Sequence, residues 1–206
     1  MHSNSTVFSE KSLARQYLLS KRLSLSDQDR LKWDTRIFDH LLSAPFFQEA
    51  TRIACYFSHL NEPHLVPFMI NYLKNRPKET ASKLFYLPIL KKSEAGRFLI
   101  FGPCTPQTQY KNNLYGIPEP DSPNECTITA PELDLILMPL VGFTAAKNRL
   151  GMGGGFYDQT LSFKLKRPNI KPCLVGIAYA CQELEVLPIE PHDIALNHVI
   201  TEHKIY

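Results

Sequence analysis

Four of the chain's nine glycines fall in one short stretch, Asn148-Arg149-Leu150-Gly151-Met152-Gly153-Gly154-Gly155-Phe156-Tyr157-Asp158, and this stretch constrains the fold more than any other. Residues 133–139 just upstream form an apolar run of buried-strand length. Residues 159–166 downstream carry Leu161 and Leu165 four apart and read as the body of a helix. The expected order is strand, loop, glycine turn, helix. A glycine turn that opens a helix lets backbone N–H groups converge on an anion, and the helix dipole favours the negative charge. Arg149 adds a forked cation beside it. The stretch reads as a phosphate cradle, yet it matches neither common type. No Lys-Ser or Lys-Thr follows the glycines, Phe156 stands where a dinucleotide fingerprint needs its third glycine, and no strand is expected to run directly into the turn. A flexible surface turn is the bland alternative, but an embedded Arg and a terminal Tyr-Asp are unusual in a linker.

A chain of 206 residues is long enough for one good core and short for two, and 44% hydrophobic with 21% charged content is ordinary for a soluble globular protein. A net charge of +3 is too mild to argue for a nucleic-acid partner. Lys164, Lys166 and Arg167 form the densest basic group, expected to cover the solvent face and end of a helix. Five cysteines, odd in number and without a C-x-x-C pair, point to a reduced, cytoplasmic protein without disulfides, in which Cys55 and Cys173 fill apolar strands. A polar N-terminus and the lack of a long apolar run argue against a leader or a membrane partner, and the scattered His and Cys argue against structural zinc. A monomer is expected.

Along the chain, residues 8–23 read as an amphipathic helix with an apolar stripe of Leu13, Tyr17 and Leu18. Its basic residues, Lys11, Arg15, Lys21 and Arg22, read most simply as a solvated face. Ser26-x-x-Asp29 resembles a capping box and opens a second helix through Trp33, Ile37, Phe38 and Leu41, ended by Ala44-Pro45. Strands are expected over 53–57, 83–88, 97–101, 172–179 and 198–201, with a helix through Leu65, Phe68, Met69 and Leu73 and a turn over 91–96. Residues 102–132, rich in proline, read as a long irregular excursion. The alternation predicts an α/β single domain over 1–206, with a mostly parallel sheet and helices on both faces in a Rossmann-like three-layer arrangement.

In such sheets ligands bind past the carboxyl ends of the strands. The loops after Phe57, Met138 and Tyr179 therefore share one candidate site, bearing Glu62, Arg149 to Asp158, and Asp193. Asp158 and Asp193 suit a magnesium perch, although a helix-end acid and a turn cap are the simpler readings of each. Phe57, Tyr115, Phe156 and Tyr157 offer faces for a flat ring, or merely core. Chemistry alone reaches an enzyme or binding domain for a phosphorylated or nucleotide ligand.

The glycine stretch resembles the N-R-L-G-x-G-x-G-[YF]-Y-D signature of the 5-formyltetrahydrofolate cyclo-ligases, also called methenyltetrahydrofolate synthetases. Lys11-Ser12-Leu13-Ala14-Arg15, Phe57-Ser58 with Glu62, Tyr115-Gly116-Ile117-Pro118-Glu119-Pro120 and Leu187-Pro188-x-Glu190-x-His192-Asp193 resemble further family segments in the same order. The resemblance implies ATP- and Mg2+-dependent closure of 5-formyltetrahydrofolate to 5,10-methenyltetrahydrofolate, with release of ADP and phosphate. It implies ATP binding by Lys11, Ser12, Leu13, Ala14 and Arg15 together with Arg149, Leu150, Gly151, Met152, Gly153, Gly154, Gly155, Phe156 and Tyr157. It implies folate binding by Phe57, Glu62, Tyr115 and the loop Met152, Gly153, Gly154, Gly155 and Phe156. Catalytic roles fall to Arg149 and Tyr157, and Mg2+ falls to Asp158 and Asp193.

Three positions depart from the family pattern: Thr144 replaces a frequent acid, Asn197 replaces an Asp, and Lys147 replaces the glycine usual before Asn-Arg. The competing readings are a phosphosugar isomerase, an acyl-CoA transferase-like enzyme, or a non-catalytic phospho-ligand sensor on a similar frame.

Overall fold

The computed structural model describes residues 10–75, 83–94 and 96–206. Three helices come first, α1 (Lys11–Leu23), α2 (Asp27–Ser43) and α3 (Pro45–Glu49), followed by β1 (Arg52–Ala54) and α4 (Val66–Asn75). The long pair β2 (Leu84–Ser93) and β3 (Gly96–Cys104) leads to a small hairpin of β4 (Tyr110–Asn112) and β5 (Pro118–Pro120). Then come β6 (Leu135–Pro139), β7 (Gly142–Thr144), β8 (Arg149–Leu150), α5 (Phe156–Thr160), β9 (Cys173–Ile177), β10 (Glu183–Leu184) and β11 (His198–Ile200).

The main sheet runs β11-β9-β6-β1-β2-β3, parallel throughout except for the β2–β3 edge pair. Its centre is the apolar run Leu135-Ile136-Leu137-Met138, fully buried because both faces are covered. Leu135 and Leu137 face a cluster with Ile37, Leu41, Phe47 and Met69 from α2, α3 and α4. Ile136 and Met138 face the opposite cluster, with Leu161, Phe143, Leu133 and Leu196. One face is thus roofed by α-helices. The other is roofed by the short α5, by 3-10 turns and by a second sheet, β10-β7-β8. Among the described residues no helix is long and apolar enough to cross a membrane.

The second helix begins as expected: the Ser26 hydroxyl accepts from the Asp29 amide, and α2 stops before Ala44-Pro45. The first helix differs in its facing. The buried row of α1 is Ala14, Leu18 and Arg22, at i, i+4 and i+8, whereas Leu13 is half exposed at 50%. Arg22 therefore leaves the expected solvated face and enters the interior; the expected start of this helix at residue 8 lies outside the described residues. Ala14 and Leu18 pack with Val141, Leu150, Leu184 and Leu187, which seats α1 on the second sheet.

Three further expectations are corrected. The helix after the glycine turn is a single α turn followed by a 3-10 segment, Ser162–Leu165, because Leu161 breaks regular geometry as it plunges into the core. Lys164 is buried, not solvated: its ammonium donates to the carbonyls of Ile170 and Pro172, which offset the lost hydration. Residues 91–93 also continue β2, paired with β3 down to a tight turn at Glu94 and Gly96.

Candidate functional site

At the carboxyl edge of the sheet a cavity of about 350 Å³ opens between the loop after β1, the end of β6, the β4–β5 hairpin and the glycine turn. The turn's geometry follows from its sequence. Gly153 and Gly155 have φ of +89° and +71°, in the left-handed region where a Cβ is strained, and Gly155 directly precedes α5. A strand does enter the turn, contrary to expectation: β8 pairs with β7 as a hairpin, Phe143 opposite Arg149. Arg149 is thereby held on rigid backbone rather than on a loop. The hairpin bends at Lys147, whose φ is +66°.

An L-residue in that region costs about 1–2 kcal/mol, part of which a glycine returns through its freer unfolded chain. Lys147→Gly is expected to stabilise the protein by about 0.5–1 kcal/mol, read as a raised urea midpoint with an unchanged slope. An unchanged or lowered midpoint would show that the Lys147 side chain contributes contacts worth more than the strain.

Glu62 is the buried carboxylate of the cavity. Its Oε2 accepts the His59 amide at 3.1 Å, and its Oε1 lies 3.7 Å from Nη2 of Arg22. Burial raises its pKa to about 7, against the opposing pull of Arg22 and the His59 N–H. Aromatic faces surround it: Phe57 lines the cavity, and Tyr115 at the hairpin tip meets Phe156 edge-on at 6.3 Å. The tip is set by Asn113, whose side-chain oxygen accepts the amides of Tyr115 and Ile117.

The glycine turn is itself pinned by charge. Arg149 is nearly buried and donates through Nη2 to Asp158 at 2.6 Å, with its guanidinium 5.6 Å over the Tyr157 ring. Its Nε and the Tyr157 hydroxyl are buried without a hydrogen-bond partner, and desolvation pushes the Tyr157 phenol upward. From α1, Arg15 Nε donates to the Gly151 carbonyl at 2.8 Å, and its guanidinium carbon is 3.5 Å from where a Cβ on Gly153 would stand. Lys11 meets Asp193 at 2.6 Å and Glu190 at 3.2 Å. Lys11 and its backbone partner at Glu190 hold the Asp193 carboxyl below the usual range despite partial burial.

Of the residues singled out in the sequence, Phe57, Glu62, Tyr115, Arg149, Gly151 to Tyr157 and Asp158 share the one cavity. Lys11 and Arg15 are not among its walls; from α1, Arg15 reaches the Gly151 carbonyl and Lys11 meets Asp193 and Glu190. Ala14 and Leu150, assigned to ATP by resemblance, are fully buried packing residues whose side chains are committed to the core. Ser12 and Leu13 are exposed, with the Ser12 hydroxyl turned to Glu10. Asp158 and Asp193 pair with different cations, and it is Glu190 and His192 that cluster with Asp193, their ligand atoms within 4.8 Å of one another. Asn197 precedes β11 at the amino edge of the sheet, opposite the site, where its side chain accepts the Leu174 amide; the departure from Asp there is structural. Thr144 is buried and accepts the Asn148 amide at the hairpin bend.

Sequence reasoning missed Arg22, which the 14/18/22 spacing reveals in hindsight, and the wall residues His59, Asn113 and Leu140, which carry no pattern.

Residues 7–202 match the family model described as the 5-formyltetrahydrofolate cyclo-ligase family. The chain is 33% identical over 180 residues to a 5-formyltetrahydrofolate cyclo-ligase of Haemophilus influenzae, covering 87% of this chain and 90% of that protein. Its fold is similar to that of the 5,10-methenyltetrahydrofolate synthetase of Aquifex aeolicus, with a TM-score of 0.76 and 28% identity over 95% of this chain and 91% of that one. It is also similar to the 5,10-methenyltetrahydrofolate synthetase of Mycoplasma pneumoniae, with a TM-score of 0.69 and 25% identity over 94% and 99% of the two chains.

Proposed function

The chain belongs to the 5-formyltetrahydrofolate cyclo-ligase family, and from that membership we propose that it closes 5-formyltetrahydrofolate to 5,10-methenyltetrahydrofolate using ATP, residues 1–206 acting as one unit. The observation that carries the reading is the position of the glycine turn. It walls a largely apolar cavity containing one buried carboxylate, and its Gly151 carbonyl receives the Arg15 guanidinium of α1, while Lys11 one turn earlier meets Asp193 and Glu190. A reduced folate needs the first environment and a nucleotide triphosphate the second.

The chemistry then assigns roles. The folate ring lies among Phe57, Tyr115 and Phe156, and ionised Glu62 accepts hydrogen bonds from the amino and ring N–H donors of the pteridine edge. The formamide oxygen at N5 is a poor leaving group. Transfer of the γ-phosphoryl onto it, with ADP as the leaving group, creates a better one; N10 then attacks the activated carbon, the carbon–oxygen bond breaks, and phosphate departs with the N10 proton. Such transfer depends mainly on positioning and charge stabilisation.

Lys11, Arg15 and the amides of Gly151 to Gly155 hold the phosphates. The five-residue α5 adds less dipole than a full helix, so these cations and amides bear most of the load. Arg149 and Tyr157, which both line the cavity and each carry one buried polar atom without a partner, are assigned to the transferring phosphoryl group. Asp193 and Glu190 would supply clustered hard oxygen donors that fit Mg2+, whereas Asp158, engaged by Arg149, stands outside that cluster. Bound there, Mg2+ neutralises phosphate oxygens.

The test is direct: protein, 5-formyltetrahydrofolate, Mg2+ and ATP are mixed and the absorbance of the methenyl product is followed. Product that forms only with ATP supports the reading; ligand binding without turnover, or turnover without ATP, overturns it.

Gly153→Ala probes the turn. The alanine meets the Arg15 guanidinium at ordinary contact distance but must adopt a φ of +89°, so about 1 kcal/mol or more of strain is expected at this backbone. The expected outcome is a roughly tenfold or larger rise in KM for ATP with KM for folate little changed, since a shifted turn misaligns the phosphate amides first. Equal effects on both substrates would instead indicate general loosening of the cavity.

A further inference from the structure

Arg22 is fully buried in the inward row of α1, and a buried guanidinium is costly unless fixed acceptors surround it. Its acceptors come from the two loops that frame the cavity. Nε donates to the Leu60 carbonyl and Nη1 to the Leu140 carbonyl, both at 2.8 Å, while Nη2 lies 3.7 Å from Glu62 Oε1. That last distance is too long for a hydrogen bond, and Nη2 has no other partner. A mere packing plug at this position would be served as well by a Met or Leu, since apolar side chains of similar volume often replace buried charges without loss. The charge is therefore tied to Glu62 and to the loops on either side of it.

We propose that Arg22 is a positioning residue of the cavity: it clamps the loop that carries Glu62 to the end of β6 and keeps that carboxylate ionised for the donors of the substrate ring. The proposal rests on the reading of the cavity as the reduced-folate site. Without its countercharge, Glu62 takes up a proton more readily and presents a hydroxyl where the pteridine needs an acceptor. The other groups around the pair are Tyr56 and Tyr157 on the Glu62 side and Tyr179 and Cys181 on the Arg22 side, all shifted upward by burial and so neutral near pH 7. His59 contributes its backbone N–H to Glu62 and also lines the cavity.

The experiment measures binding of 5-formyltetrahydrofolate by calorimetry, without ATP, between pH 5.5 and about 8.5, the span in which a carboxyl raised by burial titrates. Wild-type affinity is expected to fall as the solution is acidified through a single midpoint. In Arg22→Met and Arg22→Gln that midpoint moves up by about one unit or more, and affinity at pH 7 drops about fivefold or more, as loss of an opposite charge at this range predicts. Arg22→Lys restores the charge and returns the midpoint to within about half a unit of wild type. Glu62→Gln binds weakly with no midpoint, which separates the carboxyl from the His59 imidazole.

A folded neutral variant that keeps the wild-type midpoint overturns the proposal and leaves Arg22 as a packing residue, as does a midpoint that persists in Glu62→Gln. Should neither neutral variant fold, Arg22→Lys decides: a midpoint displaced by about a unit despite the retained charge overturns it. Wild-type protein that binds no 5-formyltetrahydrofolate at any pH defeats the functional reading instead, before any variant is compared.

Discussion

Replacing Glu62 with Gln is expected to lower kcat/KM for 5-formyltetrahydrofolate by about 100-fold or more, because up to two charge-assisted hydrogen bonds to the ring are lost, each worth about 1.5–3 kcal/mol. KM for ATP should stay near wild type, since Glu62 lies in the cavity and not beside Lys11 or Arg15. The same carboxyl sets a pH dependence whose sign can be worked out. Its folded pKa of about 7 lies above the ordinary value of 4.5, so the folded protein holds this proton more tightly than the unfolded chain. The group's contribution to stability is full below pH 4.5 and is lost as pH rises through 7. The stability of Glu62→Gln relative to wild type should therefore improve as pH increases across that window, while its folate binding remains poor. Urea unfolding of both proteins at pH 4.5 and 8 measures the first, and calorimetry the second. A stability difference that does not vary with pH would place the Glu62 carboxyl near its ordinary value.

Arg149→Ala is expected to reduce kcat by about 1000-fold, the lower end of what a lone arginine contributes to phosphoryl transfer. The residue is 9% exposed, held by the β7–β8 hairpin and paired with Asp158 at 2.6 Å, so part of any loss will come from folding. The double variant Arg149→Ala/Asp158→Ala separates the two. It removes the stranded carboxylate and should recover thermal stability relative to the single variant, while turnover stays low. Calorimetry should show folate still bound within about threefold of wild type, since Arg149 is assigned to the transferring phosphoryl rather than to the ring. Recovery of rate along with stability in the double variant would reduce Arg149 to a structural role.

How much of this was readable beforehand depended on the range of the interaction. The parallel sheet followed from period and length: residues 135–138 are apolar without alternation, which only a strand covered on both faces requires. The glycine turn was readable because Gly153 and Gly155 occupy backbone regions that few other residues tolerate, so local sterics are written into residue type. Lys147 was flagged by the family resemblance, as a residue standing where glycine is usual, and the structure gives it a left-handed conformation.

The errors lie where side chains meet partners far along the chain. Arg22 and Lys164 looked like surface cations because a sequence displays charge and not the carbonyls of Leu60, Leu140, Ile170 and Pro172 that receive it. Asp158 and Asp193 looked like a pair because both follow strands, whereas Arg149 and Lys11 draw them to separate partners. Asn197 stood out only as a departure from the family pattern, because its place at the amino edge is a property of the sheet, not of the segment. The layered α/β frame, the glycine turn and the family were legible in the chain, since periodicity, backbone sterics and motif order act over a few residues at a time. Which charges are buried and what neutralises each emerged with the packed fold, because desolvation depends on every element that packs around a group.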